Sequence, residues 1–334
     1  MIRFGLVGAG GMAGVYADRI AELPDAEVTA VASPNSAPAF VAEHAPSAEA
    51  YAGAEELCAD AGVDAVAVLT PTHTHRAVIE TAAEHGHAVI CEKPLARTMD
   101  DAARIREAVA DAGITFTTAH AVRFFPAYAT AKERVDAGAI GEPGVARTRR
   151  AFGFAGERGW FDDPEKSGGV LLDLAVHDFD YLRWVLGDVQ QVFTRRTGWS
   201  GEGESEVALS TLRFESGAVA HVEAWWIEVP TVPFSTAFEL AGDEGLIEYD
   251  DDEVQPVRTF GAESVRVPRD PIGDEIPLAR DGYYRQLEQF AASVRGEEAP
   301  AVPVEEGVAS MRVGLAAIES AERGAPVAPT EVEP

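Results

Sequence analysis

Lys93, Asp173 and His177 are the residues whose types and settings suit proton handling. Lys93 stands in Cys91-Glu92-Lys93-Pro94-Leu95, at the end of the strand-like run His87–Cys91, and is one of only three lysines in a chain with 56 acidic residues. The other two, Lys132 and Lys166, lie in polar stretches. Since arginine carries most of the positive charge, a lysine at the mouth of an apolar strand suggests a task for a compact ammonium of adjustable pKa, which a guanidinium cannot perform. A solvated loop lysine beside a glutamate is the competing reading. Asp173 and His177 lie in Gly168–Trp184, a segment of helical period. Four apart, they share a face with Val170, Tyr181 and Trp184. Ionisable groups on an inward stripe need a reason, because unpaired buried charge is costly. Either they form an internally satisfied pair, or His177 transfers protons and the carboxylate orients it.

A second constellation opens the chain. Gly8-Ala9-Gly10-Gly11-Met12-Ala13 follows a strand and starts a helix. In this G-x-G-x-x-A pattern Gly8 allows a tight turn, Gly10 lets backbone approach a pyrophosphate, and Ala13 lets helix and strand pack closely. The free N–H groups of Gly11, Met12 and their neighbours face the phosphates. The second strand ends in Ser33-Pro34-Asn35-Ser36, where an NAD site usually has an acidic residue for the ribose 2′-hydroxyl. Without that carboxylate a 2′-phosphate is not repelled, and Ser33, Asn35 and Ser36 can donate to it, although no arginine follows to clamp it. The expectation leans to NADP over NAD. His73 and His75 in Thr70-Pro71-Thr72-His73-Thr74-His75 stand at a strand end, where they would cap the next helix or meet cofactor; an H-x-H pair without a third well-spaced ligand gives no metal site. His120, Arg123, Trp160 and Tyr181 are candidate substrate contacts.

These residues need a scaffold. In the first third, strands Ile2–Val7, Val28–Ala32, Ala65–Leu69, Ala88–Cys91 and Thr115–Thr118 alternate with helices at Gly11–Leu23, Ala37–His44, Thr74–Glu84 and Met99–Ala112. Near-continuous apolar strands alternating with helices predict a parallel, doubly wound α/β domain. Beyond Gly141-Glu-Pro-Gly144 the pattern changes. One long helix is expected at 169–186. Hairpin-spaced strands follow at Gln191–Thr197, Val207–Phe214, Ala218–Ile227, Phe234–Ala241, Leu246–Tyr249 and Ser264–Val267. Two helices close the chain, Tyr283–Arg295 and Glu305–Arg323, with a Pro-rich tail that either docks or frays. The expected domains are 1–122, a Rossmann nucleotide-binding domain, and 123–334, an α/β substrate and oligomerisation domain.

The 334 residues carry a formal net charge of −29, spread along the chain. A dispersed acidic surface poor in lysine suits a salt-rich cytoplasm, where ions screen self-repulsion. It argues against nucleic acid, whose phosphates need a basic surface. No run approaches a membrane span, no secretory signal is visible, and Cys58 and Cys91 make neither a disulfide framework nor a zinc site. A cytoplasmic location is expected.

Taken together these residues resemble the glucose–fructose oxidoreductase / inositol dehydrogenase (Gfo/Idh/MocA) family. The resemblance runs through the Gly8–Ala13 loop, Thr70-Pro71 with His75, Glu92-Lys93-Pro94 and Arg123-Phe124-Phe125-Pro126. It continues through Gly168-Gly169 with Asp173 and His177, Gly242-Asp-Glu-Gly245 and Glu319-Ser320-Ala321. It implies a Rossmann domain, then an α/β domain with a large, open, mostly antiparallel sheet, one face of which commonly joins copies into a homodimer or homotetramer. It implies cofactor contacts at Thr70, Pro71, His75, Glu92 and Lys93, a cis Lys93–Pro94 bond, and a catalytic set of Lys93, Asp173 and His177. The implied reaction moves hydride between NAD(P) and a secondary hydroxyl or ketone of a sugar or cyclitol. A cofactor-binding sensor without turnover and a glycoside hydrolase that uses NAD transiently are the rival functions on this fold.

Overall fold

Short runs such as Phe4-Gly-Leu-Val7 and Ala65-Val-Ala-Val68 are apolar on both faces, which suits strands covered by helices on either side. In the computed structural model, which describes residues 1–60, 62–154, 159–199, 205–251, 257–260, 266–267 and 277–333, they build a six-stranded parallel sheet. The elements run β1 (Ile2–Val7), α1 (Gly11–Glu22), β2 (Ala26–Ala32), α2 (Ala37–His44), β3 (Glu49–Tyr51), α3 (Ala54–Asp60), β4 (Ala65–Val68), α4 (His75–Glu84), β5 (Ala88–Glu92), α5 (Met99–Ala112) and β6 (Phe116–Ala119). The spatial order β3-β2-β1-β4-β5-β6 is that of a dinucleotide-binding fold, with the strand order reversing at β1. Local signals set the helices. The Thr98 hydroxyl accepts the Asp101 N–H at the start of α5, two aspartates fill its first turn, and Gly113 closes it at φ 63°.

The chain continues through α6 (Pro126–Asp136), β7 (Pro143–Gly153), α7 (Pro164–Ser167), α8 (Gly169–Asp173), α9 (Val176–Leu186) and strands β8 (Val189–Trp199), β9 (Ser205–Phe214), β10 (Val219–Ile227), β11 (Ser235–Gly242), β12 (Leu246–Asp250), β13 (Val257–Phe260) and β14 (Arg266–Val267). It ends with helices α10 (Pro277–Val294) and α11 (Val304–Arg323). The second sheet has eight strands in the order β14-β13-β12-β11-β7-β10-β9-β8; every pair is antiparallel except β7 with β10. Of the strand expected at 264–267, Arg266–Val267 is a strand and 264–265 lie outside the described residues. The Pro-rich tail docks: Val327 is buried and exchanges backbone hydrogen bonds with Val192 of β8.

The expected single helix at 169–186 is two helices. Leu174 and Ala175 interrupt it, with the Ala175 N–H reaching back five residues to the Val170 carbonyl at 2.9 Å. Such a one-turn widening shifts the phase of everything after it. Asp173 ends α8 and His177 lies in the first turn of α9, so the one-face spacing argument does not describe them.

The chain divides into two units. One comprises Met1–Phe124 with Ala279–Val308, the other Phe125–Leu278 with Ala309–Glu333. Sequence continuity groups 279–308 with the second domain. They join the first because Leu287, Phe290 and Ala291 fill its core, where Phe290 meets Phe4 with ring centroids 6.1 Å apart. Among the described residues no helix is long and apolar enough to cross a membrane.

Candidate active site

Strand register builds the ligand edge of the first unit. Val7 pairs with Ala32 and Val68, Val68 with Cys91, and Cys91 with Thr118. The strands therefore end level, and the segments that follow them emerge along one edge: Gly8–Gly11, Ser33–Ser36, Thr70–Pro71, Glu92–Lys93 and His120. This is the edge, at the reversal of strand order, where such sheets take ligands.

The glycine loop fits a dinucleotide. Gly8 has φ +115°, and a Cβ there would come 2.5 Å from the Leu69 carbonyl oxygen, so no other residue is accommodated. A Cβ on Gly10 or Gly11 would meet nothing within 4 Å, which leaves room for a bound group to approach the backbone. No side chain caps the N-terminus of α1, so its N–H groups are offered to a ligand. Met12 is half-buried and Ala13 fully buried. A cleft of about 400 Å³ lies beside the loop, lined by Gly10, Gly11, Ser36, Phe40 and His44 among others. The Ser33 and Ser36 hydroxyls are 2.9 Å apart, Ser36 does not cap α2, and Asn35 is exposed.

Glu92 and Lys93 are half-buried. The Glu92 carboxylate accepts the Tyr16 hydroxyl at 3.0 Å and the Lys93 backbone N–H at 3.2 Å. Burial first, and then Glu92, push the Tyr16 phenol well above its ordinary pKa, so it remains a donor. The Lys93–Pro94 bond is cis, as the resemblance implies. The other lysines engage nearby acids, Lys132 with Asp136 on α6 and Lys166 with Asp163, the residue that caps α7. His75 is buried at the start of α4. Its Nε2 lies 2.9 Å from the Thr70 carbonyl, and its Nδ1 3.1 Å and 3.3 Å from the carbonyls of Pro94 and Leu95. Burial holds its pKa below the ordinary 6.5 against these acceptors, which raise it. His120 and Arg123 are buried, and Arg123 donates to Glu306 at 2.7 Å.

In the second unit, every residue from Ser167 to Leu182 is buried except Asp173 and His177, which are half-buried. Their helices are anchored from the sheet. The Glu206 carboxylate on β9 accepts the Val170 N–H at 2.9 Å, capping α8, and pairs with Arg196 at 3.1 Å. On α9, Asp178 is fully buried against Arg150 of β7 at 2.8 Å, and Arg150 also donates to the Tyr128 hydroxyl at 3.3 Å. Burial works against the Arg150 charge, but Asp178 and Tyr128 outweigh it and raise its pKa. Asp180 accepts from Ser310 at 2.8 Å. Sequence reasoning missed Arg150 and Asp178; the available signal was that Arg150 falls on the same strand face as Ala146 and Thr148, four and two residues before it. Trp160 is half-buried and stacks on Phe161 at 3.9 Å. Tyr181 is fully buried among Tyr128, Trp184 and Phe238.

A parallel nucleotide-binding sheet with an open glycine loop and an ammonium at a neighbouring strand end defines an NAD(P)-dependent oxidoreductase. Comparison with known proteins gives the family. Residues 2–120 match the "Oxidoreductase family, NAD-binding Rossmann fold", and residues 132–328 the "Oxidoreductase family, C-terminal alpha/beta domain", of the Gfo/Idh/MocA group. The chain is 32% identical to 1,5-anhydro-D-fructose reductase of Ensifer adhaerens over 97% of both proteins. It is 31% identical to D-xylose 1-dehydrogenase (NADP(+)) 2 of Haloferax volcanii over 97% of this chain and 98% of that one. To scyllo-inositol 2-dehydrogenase (NAD(+)) of Bacillus subtilis it is 32% identical over 81% and 79%. The crystal structure of a probable dehydrogenase from Thermotoga maritima, 27% identical, superposes with a TM-score of 0.84 over 99% of this chain and 100% of that one. The chain belongs to the Gfo/Idh/MocA oxidoreductase family.

Proposed function

We propose that the protein transfers hydride between a nicotinamide cofactor and a secondary hydroxyl or ketone of a sugar or cyclitol, with Lys93, Asp173 and His177 as its proton-handling residues. The observation that carries the assignment is the isolated exposure of Asp173 and His177 in an otherwise buried run. Two ionisable groups stay partly accessible where each neighbour is packed away. Relatives named for anhydrofructose, xylose and inositol support the substrate class.

Bound NAD(P) supplies the hydride chemistry. His177 takes the hydroxyl proton in oxidation and returns it in reduction, a role worth typically 10²–10⁴-fold. Lys93 hydrogen-bonds the reacting oxygen and stabilises its developing negative charge. Asp173 orients His177 and holds the hydroxyl. Thr70, Pro71 and Glu92 would border the nicotinamide half, and Gly8, Gly10, Gly11, Met12 and Ala13 would hold the pyrophosphate. Ser33, Asn35 and Ser36 receive the adenosine ribose and favour NADP, since none of them repels a 2′-phosphate. His120, Arg123 and Trp160 are secondary candidates for substrate contact. Tyr181, sealed in its aromatic cluster, is left out.

Lys93→Ala and His177→Ala are expected to lose turnover by at least about 100-fold, while titration of protein fluorescence with NADPH shows binding retained. Near-normal turnover in either variant rejects the catalytic assignment, and clearly tighter binding of NADH than NADPH rejects the NADP preference. For assembly, the outward face of the second sheet carries the exposed Val145, Leu209 and Val219, with Val145 paired to Val219 across adjacent strands. These exposed apolar side chains, set among Arg147, Arg149, His221 and Glu223 on the same face, support a homodimer or homotetramer through it. Leu209→Asp is expected to lower the mass measured by sedimentation, and an unchanged mass removes this face from the assembly.

A further inference from the structure

We infer that His75 is a positioning residue for Lys93, its ring tying the segment after β5 to the segment after β4. The inference rests on the reading of Lys93 proposed above. Pro94 and Leu95 are buried, so their carbonyls need hydrogen-bond donors, and Pro94 has no N–H of its own to offer. The His75 ring is the group found there, with Nδ1 at 3.1 Å from Pro94 O and 3.3 Å from Leu95 O. The neutral ring has one N–H; carried on Nδ1, it serves Pro94 and Leu95, and Nε2, 2.9 Å from Thr70 O on the opposite edge, does not donate. The ring itself is 1% exposed, so packing fixes it and it stands behind the ligand edge.

Lys93 is thereby bracketed. On its N-terminal side the Glu92 carboxylate holds the Lys93 N–H, and Tyr16 and Gln286 hold Glu92 in turn, Gln286 donating to the Tyr16 hydroxyl at 3.3 Å. On its C-terminal side His75 holds the next two carbonyls. Thr70 is tied down as well, since the Thr74 hydroxyl donates to its Oγ1 at 2.9 Å. A lysine side chain has four rotatable bonds and places its ammonium well only if its backbone is fixed. Releasing one bracket moves the ammonium relative to the reacting oxygen without removing any charge.

The test is a double-mutant cycle in turnover, with NADPH affinity and melting temperature measured beside it. His75→Ala is expected to lower kcat at least about 10-fold, with smaller changes in KM and in the Kd for NADPH. His75→Gln, whose amide can still donate to a carbonyl, recovers part of the loss. In a Lys93→Ala background the same His75 substitutions cost less than about twofold, because no ammonium remains to be placed. Equal losses in both backgrounds, or unchanged kcat in His75→Ala, overturn the inference while leaving Lys93 catalytic. Near-normal turnover in Lys93→Ala alone overturns the reading of Lys93 and this inference with it. Should His75→Ala fail to fold, His75→Gln carries the cycle, with a loss expected only where Lys93 is present.

Discussion

Asp173 and His177 differ from their neighbours in exposure, and Lys93 differs from the other lysines in place, at the end of a strand of the first sheet. Each contrast is a statement about one side chain in one setting, and at that scale chemistry is most legible. A single lysine at a strand end stands out because arginine carries the positive charge almost everywhere else. Arg150 did not stand out, since it is one of three arginines within Arg147–Arg150, yet it is the one buried against Asp178. His75 shows how a residue can be found while its partners stay hidden: Pro94 and Leu95 lie 19 and 20 positions away. Its burial also has a consequence for pH. The folded state prefers the neutral ring and holds its pKa below 6.5, so the unfolded chain binds the proton more readily. The stability this ring contributes is therefore whole above pH 6.5 and declines as pH falls towards the lowered folded pKa. Because His73 adds to the lowering, it must be kept unchanged in the comparison. Melting temperatures of wild type and His75→Gln from pH 8 to pH 5 should diverge, with the steeper decline in the wild type; parallel curves would contradict the buried neutral ring.

At the scale of elements, periodicity served where one element is packed in one way. The helix Met99–Ala112 follows from its cap, acidic first turn and terminal glycine, and strands β1, β4 and β5 from apolar runs. It failed where tertiary context changed the local rule. β7 stands in the middle of the second sheet and pairs with both β10 and β11, but its arginines conceal a strand pattern. β3 has three residues, too few to show a period. The break at Leu174–Ala175 has neither glycine nor proline to announce it. That break makes α8 a five-residue helix, too short to hold itself. Glu206 compensates by capping it from β9. Glu206→Ala should cost about 1–2 kcal/mol in urea unfolding and lower kcat without loss of NADPH binding, since the first unit is untouched. A variant that unfolds like wild type and turns over normally would show that α8 needs no such anchor.

The whole molecule is governed by charge. At −29 its surface repels itself, and the visible ion pairs between exposed groups, such as Arg3 with Asp64 at 3.0 Å, are each worth little. Screening should matter more than any one pair. Raising KCl from 0.1 M towards 2 M should lift the melting temperature by several degrees, and a temperature that is flat or falls with salt would contradict a fold held back by its own charge. The two-unit plan was legible in the change from strand–helix alternation to hairpin spacing. The return of residues 279–308 to the first unit was not, because no local pattern records that Phe290 is needed beside Phe4.

That return bears on the order in which the protein can be made. Met1–Phe124 leaves the ribosome first, with its nucleotide loop and Lys93 in place, but the helix bringing Gln286, Leu287 and Phe290 is translated only after the whole of Phe125–Leu278. At about 5–20 residues per second, the nascent sheet waits on the order of ten seconds with one part of its core unfilled. Tyr16 waits with it for its Gln286 partner. The hydrogen-bond chain that reaches Glu92, and so one side of the Lys93 bracket, is among the last parts of the first unit to close.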